Sequence, residues 1–314
     1  MIAQFKKDVL EGLSQSPQKT LPAKYFYDER GDALFVKIMA MPEYYLTNAE
    51  MDIFKHQHAA LIEALGMDKS QYFELIELGA GDGTKTVELL KALLKADYPF
   101  SYIPVDISQN ALEGLDRMLR LTLPSLKTSP RHCDYFEALE QLKQDGIPKI
   151  ILFLGSNIGN LSDEQATEFI YQLGANLQVG DQIMLGVDLI KSSDIVLPAY
   201  NDAQGITREF NLNLLDRINR ELGADFDRNE FEHLPVYDEK EGIAKSFLAS
   251  KIDQQVHIDG HCFHFSAGET IHTEISRKYN DEVIHCILQK TDFTVEAKIL
   301  DRQSLFADYI LKRN

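Results

Sequence analysis

Residues 72–96 place three things directly in series: an apolar run YFELIELG (72–79), a glycine-rich turn AGDGT (80–84), and a stretch with helical spacing over 84–96. This order constrains the fold more than any other feature of the chain. The run has the length and apolar density of a buried strand, and Gly79 stops it. Gly79, Gly81 and Gly83 then step by two. Glycine lets the backbone turn sharply and approach a ligand with no Cβ in the way. A strand, a turn and a helix in this order open an α/β sheet, whose ligands bind outside the carboxyl ends of the strands.

The rhythm continues downstream. SYIPVDI (101–107) reads as a strand, 109–121 as a helix, 128–133 as a weak strand and KIILFLG (149–155) as a clear one. A helix over 162–176 opens at the cap signal Ser162-Asp163-Glu164, and DQIMLGVDL (181–189) is a further strand. After an interruption, a helix near 278–291 precedes strands near 293–300 and 305–312. Two strands this close must be antiparallel, because a parallel crossover needs about a dozen residues. The expected fold is α/β: a doubly wound, mostly parallel, Rossmann-like sheet with an antiparallel final hairpin. The interruption holds a long helix near 205–223 and the alternating segments SFLAS (246–250) and HCFHF (261–265), which read as an insertion. The first fifty-five residues, with Tyr25, Phe26, Tyr27, Phe35, Tyr44, Tyr45 and Phe54, read as a helical cap and not a sheet.

With 314 residues, 44% of them apolar, the chain can bury one large core or two modest ones. A net charge of −17 and the lack of a basic stripe argue against a nucleic-acid partner. Cys133, Cys262 and Cys286 are odd in number, widely spaced and without a CxxC pair, which fits reduced thiols. His257, His261, Cys262 and His264 cluster in HIDGHCFH, but no second cluster completes a tetrahedral set, so no metal is expected. MIAQFKKDVLEGLSQS has no apolar run long enough for a signal peptide, and no stretch approaches the ~20 apolar residues of a membrane span. The expectation is a cytoplasmic monomer with a small-molecule substrate.

Glu77-Leu-Gly79-Ala-Gly81-Asp-Gly83 has the spacing ExGxGxG. The dinucleotide fingerprint GxGxxG fails here, because position 84 is Thr. Asp106 ends the next strand, where a carboxylate can accept from both ribose hydroxyls, a role shared with dehydrogenases. Asp134-Tyr135 ends the third strand, where a carboxylate and an aromatic ring can frame an adenine; Asp134 could equally cap a helix. The pattern ExGxGxG between a strand and a helix resembles the first motif of S-adenosylmethionine methyltransferases, and that resemblance implies S-adenosylmethionine as the cofactor.

Longer stretches resemble one family, the histidine Nα-methyltransferases of ergothioneine biosynthesis. LPAKYFYDERGDALFVKIMAMPEYYLTNAE (21–50) is similar to its N-terminal signature, and ELGAGDGTKT, YIPVDIS, LGSNIGNL, AYNDAQGITREFN, NRELGADFD and AGETIHTEIS follow in the family's order. The resemblance implies a class I methyltransferase core over 56–190 and 279–314, and a substrate-binding domain from 1–55 and 191–278. It implies cofactor contacts at Gly79, Lys85, Asp106, Asp134, Tyr135 and Gly155. It implies a histidine pocket of Tyr27, Tyr44, Asn160, Tyr200, Glu274 and Ser276. The implied activity is three methyl transfers to the α-amine of L-histidine, giving hercynine, with Tyr27 or a water as the proton acceptor.

The residues can carry these roles. Glu274 and Ser276 stand two apart, so on an extended segment both reach one imidazole. Tyrosines can enclose a quaternary ammonium through cation–π contacts. Plainer readings stand beside them: a buried tyrosine in the core, Asn160 capping a helix, Glu274 paired with Arg277. The sequence departs from its relatives at Asp82-Gly83, at Ser156-Asn157, and near Ser246, where relatives that act on histidine tend to carry Met. Three alternatives are an N-methyltransferase for another amine such as a tryptophan derivative, a non-catalytic cofactor-binding module, and a dehydrogenase.

Overall fold

In the computed structural model, which describes residues 2–142 and 146–314, the chain groups into two units. Unit 1 is Met1–Tyr45 with Lys191–Arg277, and unit 2 is Leu46–Ile190 with Lys278–Asn314.

The first segment of unit 1 is helical at both ends. α1 (Ile2–Leu13) buries Phe5, Val9, Gly12 and Leu13, one face of an amphipathic helix. β1 (Lys19–Thr20) follows, then a 3-10 turn over Ala23–Phe26. α2 (Glu29–Met39) starts at Asp28, whose carboxylate accepts the Gly31 N–H at 2.7 Å.

Unit 2 opens with α3 (Tyr45–His56) and α4 (His58–Leu65). Then strands and helices alternate: β2 (Phe73–Leu78), α5 (Thr86–Lys95), β3 (Phe100–Asp106), α6 (Gln109–Thr122), β4 (Lys127–Thr128), β5 (Arg131–His132), α7 (Tyr135–Leu142), β6 (Lys149–Phe153), α8 (Asp163–Ala175) and β7 (Gln182–Asp188). All positions of β2, β6 and β7 are buried, as in a parallel strand covered on both faces. Phe73 and Leu75 join the core on one face of the sheet, Ile76 and Leu78 the core on the other.

Unit 1 resumes with α9 (Ser193–Tyr200), α10 (Ile206–Leu222), β8 (Phe231–Asp238), β9 (Ile243–Ser250), β10 (Gln254–Ile258), β11 (His261–Phe265) and β12 (Thr270–Arg277). Its four-stranded sheet has the order β1-β12-β9-β8, and β10 and β11 form a separate hairpin. Phe210, Leu214 and Ile218 of α10 share a core with Phe5, Val9 and Leu13 of α1 and with Leu248 and Ile271 of the sheet. Unit 2 is completed by α11 (Asp281–Leu288), β13 (Phe293–Leu300) and β14 (Phe306–Arg313). Its sheet order is β13-β14-β7-β6-β2-β3-β4, with β5 also on β3. The β2 to β7 pairs are parallel, and β14 runs antiparallel to both β7 and β13.

Three details differ from the sequence reading. The strand expected over 128–133 is two short pieces, because Pro130 has no N–H to give the ladder. The N-terminal segment is not wholly helical: β1 pairs with Ile271–His272 in parallel, a two-residue polar contact that periodicity cannot show. Residues 46–55, read with the N-terminal segment, group with unit 2, because Ala49, Ile53 and Phe54 of α3 enter the core that holds Phe73 and Leu75.

Candidate active site

In unit 2 the glycine turn follows β2 with positive φ, +75° at Gly79. A Cβ at Gly79 would lie 2.9 Å from the Tyr135 hydroxyl and 3.6 Å from Asn157 Nδ2. Gly155, beyond the end of β6, also has positive φ, at +74°. A Cβ there would lie 3.5 Å from Lys85 Nζ and 3.8 Å from Asn157 Nδ2. A hydroxyl, an amide and an ammonium therefore converge on two stretches of bare backbone. Four of the residues expected to touch a cofactor, Gly79, Lys85, Tyr135 and Gly155, are brought together here.

Asp106 ends β3 as expected. Its Oδ2 accepts the Gly81 N–H at 3.0 Å and its Oδ1 the Ser108 N–H at 2.8 Å. The carboxylate thus fixes the glycine turn and keeps lone pairs for a ligand hydroxyl. Asp134 Oδ1 accepts the Glu137 N–H at 2.9 Å, so this carboxylate does cap α7. Tyr135 leans edge-on against Phe153 and Phe169, with centroids 6.0 and 6.4 Å away. Burial, and then the Asp106 charge, push its phenol up to about 12, so the hydroxyl keeps its proton as a donor.

Beneath the turn lies a buried polar layer. Glu77, the first residue of the motif, points inward, and the Thr86 and Tyr102 hydroxyls donate to it. Burial raises its carboxyl to about 7, although the two hydroxyls and Lys85 pull it down. Glu50 of α3 pairs with the Lys85 ammonium through one oxygen and accepts the Gly155 N–H at 2.8 Å through the other. Burial works against the Lys85 charge, yet Glu50 holds its pKa above the ordinary value. Ser156, in the left-handed region at φ +60°, accepts the Asp188 N–H at 3.0 Å and so ties the 3-10 turn Asn157–Asn160 to β7. Asn157 and Asn160 are the exposed ends of that turn.

Unit 1 carries the other expected residues. The Tyr200 hydroxyl, at the end of α9, donates to Ser276 Oγ at 2.7 Å. β12 and β9 are out of step between His272 and Glu274, and Thr273 there donates to Asn211 Oδ1 and the Ser246 carbonyl, each at 3.0 Å. Past this bulge the ladder is regular: Glu274 faces Ser246 and Ser276 faces Ala244, so both β12 side chains share one face. His233 on β8 brings Nε2 to 3.3 Å from Ser246 Oγ. Burial drives its imidazole down to about 4, with Asp202 opposing and Arg208 reinforcing the shift. Tyr27, 42% exposed, stands edge-on to Phe35 and Phe210 at 5.6 and 5.8 Å, and Tyr44 meets Phe35 at 6.3 Å. The sequence reading missed Glu50, Asn157 and His233. Glu50 closes the signature LTNAE, and Asn157 was visible only as a departure. His233 carries no motif.

The histidine-rich hairpin is built differently. His257 and Cys262 pair across β10 and β11, and the His257 ring contacts Asp225 at 3.0 Å. Among the described residues no group of three or more His, Cys, Asp or Glu side chains is arranged to hold a metal ion.

A family profile described as histidine-specific methyltransferase, SAM-dependent, matches residues 5–313. The chain belongs to that family. Among its relatives, a histidine N-alpha-methyltransferase of Mycolicibacterium smegmatis is 37% identical over 280 residues, covering 88% of this chain and 85% of the relative. One from Mycobacterium tuberculosis is 34% identical, covering 89% and 86%. Ergothioneine biosynthesis protein 1 of Schizosaccharomyces pombe is 30% identical across 95% of this chain, which spans 39% of that longer protein. The chain is an S-adenosylmethionine-dependent methyltransferase with the α/β architecture that the order of β2 to β7 and the antiparallel β14 display. No described helix of this family member is long and apolar enough to cross a membrane.

Proposed function

We propose that the protein methylates the α-amine of L-histidine three times, giving hercynine. The observation that carries this reading is the cradle of Gly79, Lys85, Tyr135, Gly155 and Asn157 in a chain of this family. Its bare backbone and three polar heads suit S-adenosylmethionine, whose adenosine and amino-acid ends need acceptors and donors. When bound, S-adenosylmethionine supplies a methyl group already activated on a sulfonium.

The chain's own residues then bind, orient and handle a proton. Asp106 accepts from ribose hydroxyls while it holds Gly81, and Asp134 with Tyr135 frames the base. Glu274 and Ser276, side by side on β12, receive the imidazole, and Tyr200 fixes the Ser276 hydroxyl. Asn160 and Tyr200 are the proposed contacts for the amino-acid backbone groups. Tyr27 and Tyr44 face the growing cation with their rings, a contact that persists as each added methyl removes a donor. An α-amine titrates near pH 8, so little is needed to free its lone pair, and Tyr27 is the proposed proton acceptor. Alignment of nitrogen and methyl supplies most of the rate. We place this activity in a cytoplasmic monomer, in keeping with the −17 charge and three unpaired cysteines.

Mass spectrometry tests the reading. Enzyme, S-adenosylmethionine and L-histidine should give mono- and dimethyl species that pass to a trimethyl product, with little turnover of tryptophan or phenylalanine. A monomethyl end product, or preference for tryptophan, would overturn it.

A further inference from the structure

Unit 2 contains a fully enclosed carboxyl group that no hydrogen bond explains. Asp308 of β14 is 0% exposed, and neither carboxylate oxygen has a hydrogen-bond partner among the described residues. Asp308 faces Gly186 of β7 across the antiparallel ladder. A Cβ at Gly186 would lie 3.0 Å from Asp308 Oδ1 and would strike Glu50 Oε1. Glycine at 186 therefore makes room for two acids to converge on one spot. The second acid, Glu50, is the one that holds Lys85 and the Gly155 N–H.

We propose that Glu50 and Asp308 work as one acid pair sharing a single negative charge, and that this pair positions Lys85 and the residue 155 amide for the methyl donor.

The electrostatics agree with the geometry. An ionised carboxylate without hydrogen bonds in a dry interior is very costly, and two carboxylates this near cannot both ionise. Burial first, and the Glu50 charge second, hold the Asp308 carboxyl far above its usual range, while Lys85 pulls the other way. Glu77, the remaining buried acid near Lys85, is itself raised by burial and satisfied by two hydroxyls. One ammonium is thus matched by one carboxylate, with the Asp308 proton keeping the balance. If Glu50 loses its charge, Asp308 can release that proton and replace it beside Lys85. The device is a spare counter-ion beneath the donor cradle.

The test is a double-mutant cycle read by calorimetry with S-adenosylhomocysteine, at about pH 6, where Glu77 keeps its proton, beside wild type. Asp308→Asn should change affinity by less than about twofold, because an amide replaces an already neutral group. Glu50→Gln should weaken it by about three- to tenfold, with Asp308 taking over the charge. The double variant should lose about a hundredfold, far more than the product of the singles, because the partly buried Lys85 then lacks both carboxylates. Infrared difference spectra of the ligand-free protein add a second readout. One protonated-carboxyl band should be present in wild type and missing in Asp308→Asn, beside the Glu77 band common to both. Additive losses, a wild type without that band, or a double variant that melts early yet binds normally would each overturn the proposal. Failure of wild type to bind S-adenosylhomocysteine would instead sink the donor assignment on which the proposal rests.

Discussion

Glu77→Gln should reshape the dependence of stability on pH. The folded chain holds the Glu77 carboxyl at about 7, against 4.5 for an ordinary glutamate. Each pKa unit is worth about 1.4 kcal/mol, so the shift corresponds to about 3 kcal/mol. The sign follows from proton counting: between these values the folded state keeps a proton that the unfolded state has released. The group's contribution is complete below pH 4.5 and is lost as pH rises through 7. The side chain is buried, so solvent does not screen the effect. The amide of the variant cannot titrate, yet it keeps an acceptor for one hydroxyl and offers an N–H to the other oxygen. Urea unfolding from pH 4.5 to 8.5 should therefore show the variant gaining on wild type by about 3 kcal/mol as pH rises. Asp181 and Asp308, also raised by burial, are present in both proteins and cancel in the difference. A difference that stays flat across this range would refute the reasoning, because Glu77 would then be ionised throughout.

Glu274→Ala should lower kcat/KM for histidine by about ten- to a hundredfold and leave S-adenosylhomocysteine affinity unchanged, since a charge-assisted bond to the imidazole is lost. Steady-state kinetics and calorimetry on the same preparation check both halves. Asp106→Ala frees the Gly81 and Ser108 N–H groups and should weaken S-adenosylhomocysteine by about tenfold in calorimetry. Gly79→Ala puts a Cβ at φ +75° and 2.9 Å from the Tyr135 hydroxyl. It should cost about 1 to 2 kcal/mol of stability from the backbone alone, read by thermal melts, and should block donor binding. His233 is held at about 4 against 6.5, so its contribution is present above pH 6.5 and is lost as pH falls toward 4. His233→Gln should remove about 3 kcal/mol of acid sensitivity in that window, measured by urea unfolding.

The parallel sheet was readable because burial on both faces writes itself as unbroken apolar runs, as in Phe73–Leu78 and Lys149–Phe153. β8 was not, since its alternation passes through Pro235 and charged residues. The glycine turn and Asp106 were legible because spacing alone encodes backbone chemistry. Glu50 was not, because its partners Lys85 and Gly155 lie far along the chain and a lone buried acid leaves no local pattern. Ser246 illustrates the same limit: its place opposite Glu274 depends on the irregular register at Thr273.

The two units interleave along the chain, which changes hands after Tyr45, Ile190 and Arg277. β7 is buried at every position and relies on β14 for one of its two ladders. A ribosome finishes β7 long before it delivers Phe306–Arg313. During that interval a strand destined for complete burial waits with an open edge, the kind of surface that recruits other chains. Unit 1 has all of its strands once Arg277 has emerged. The half assigned to the donor, begun second, is therefore also the last to close, and a cut after residue 305 would leave it permanently unzipped while unit 1 keeps all of its strands.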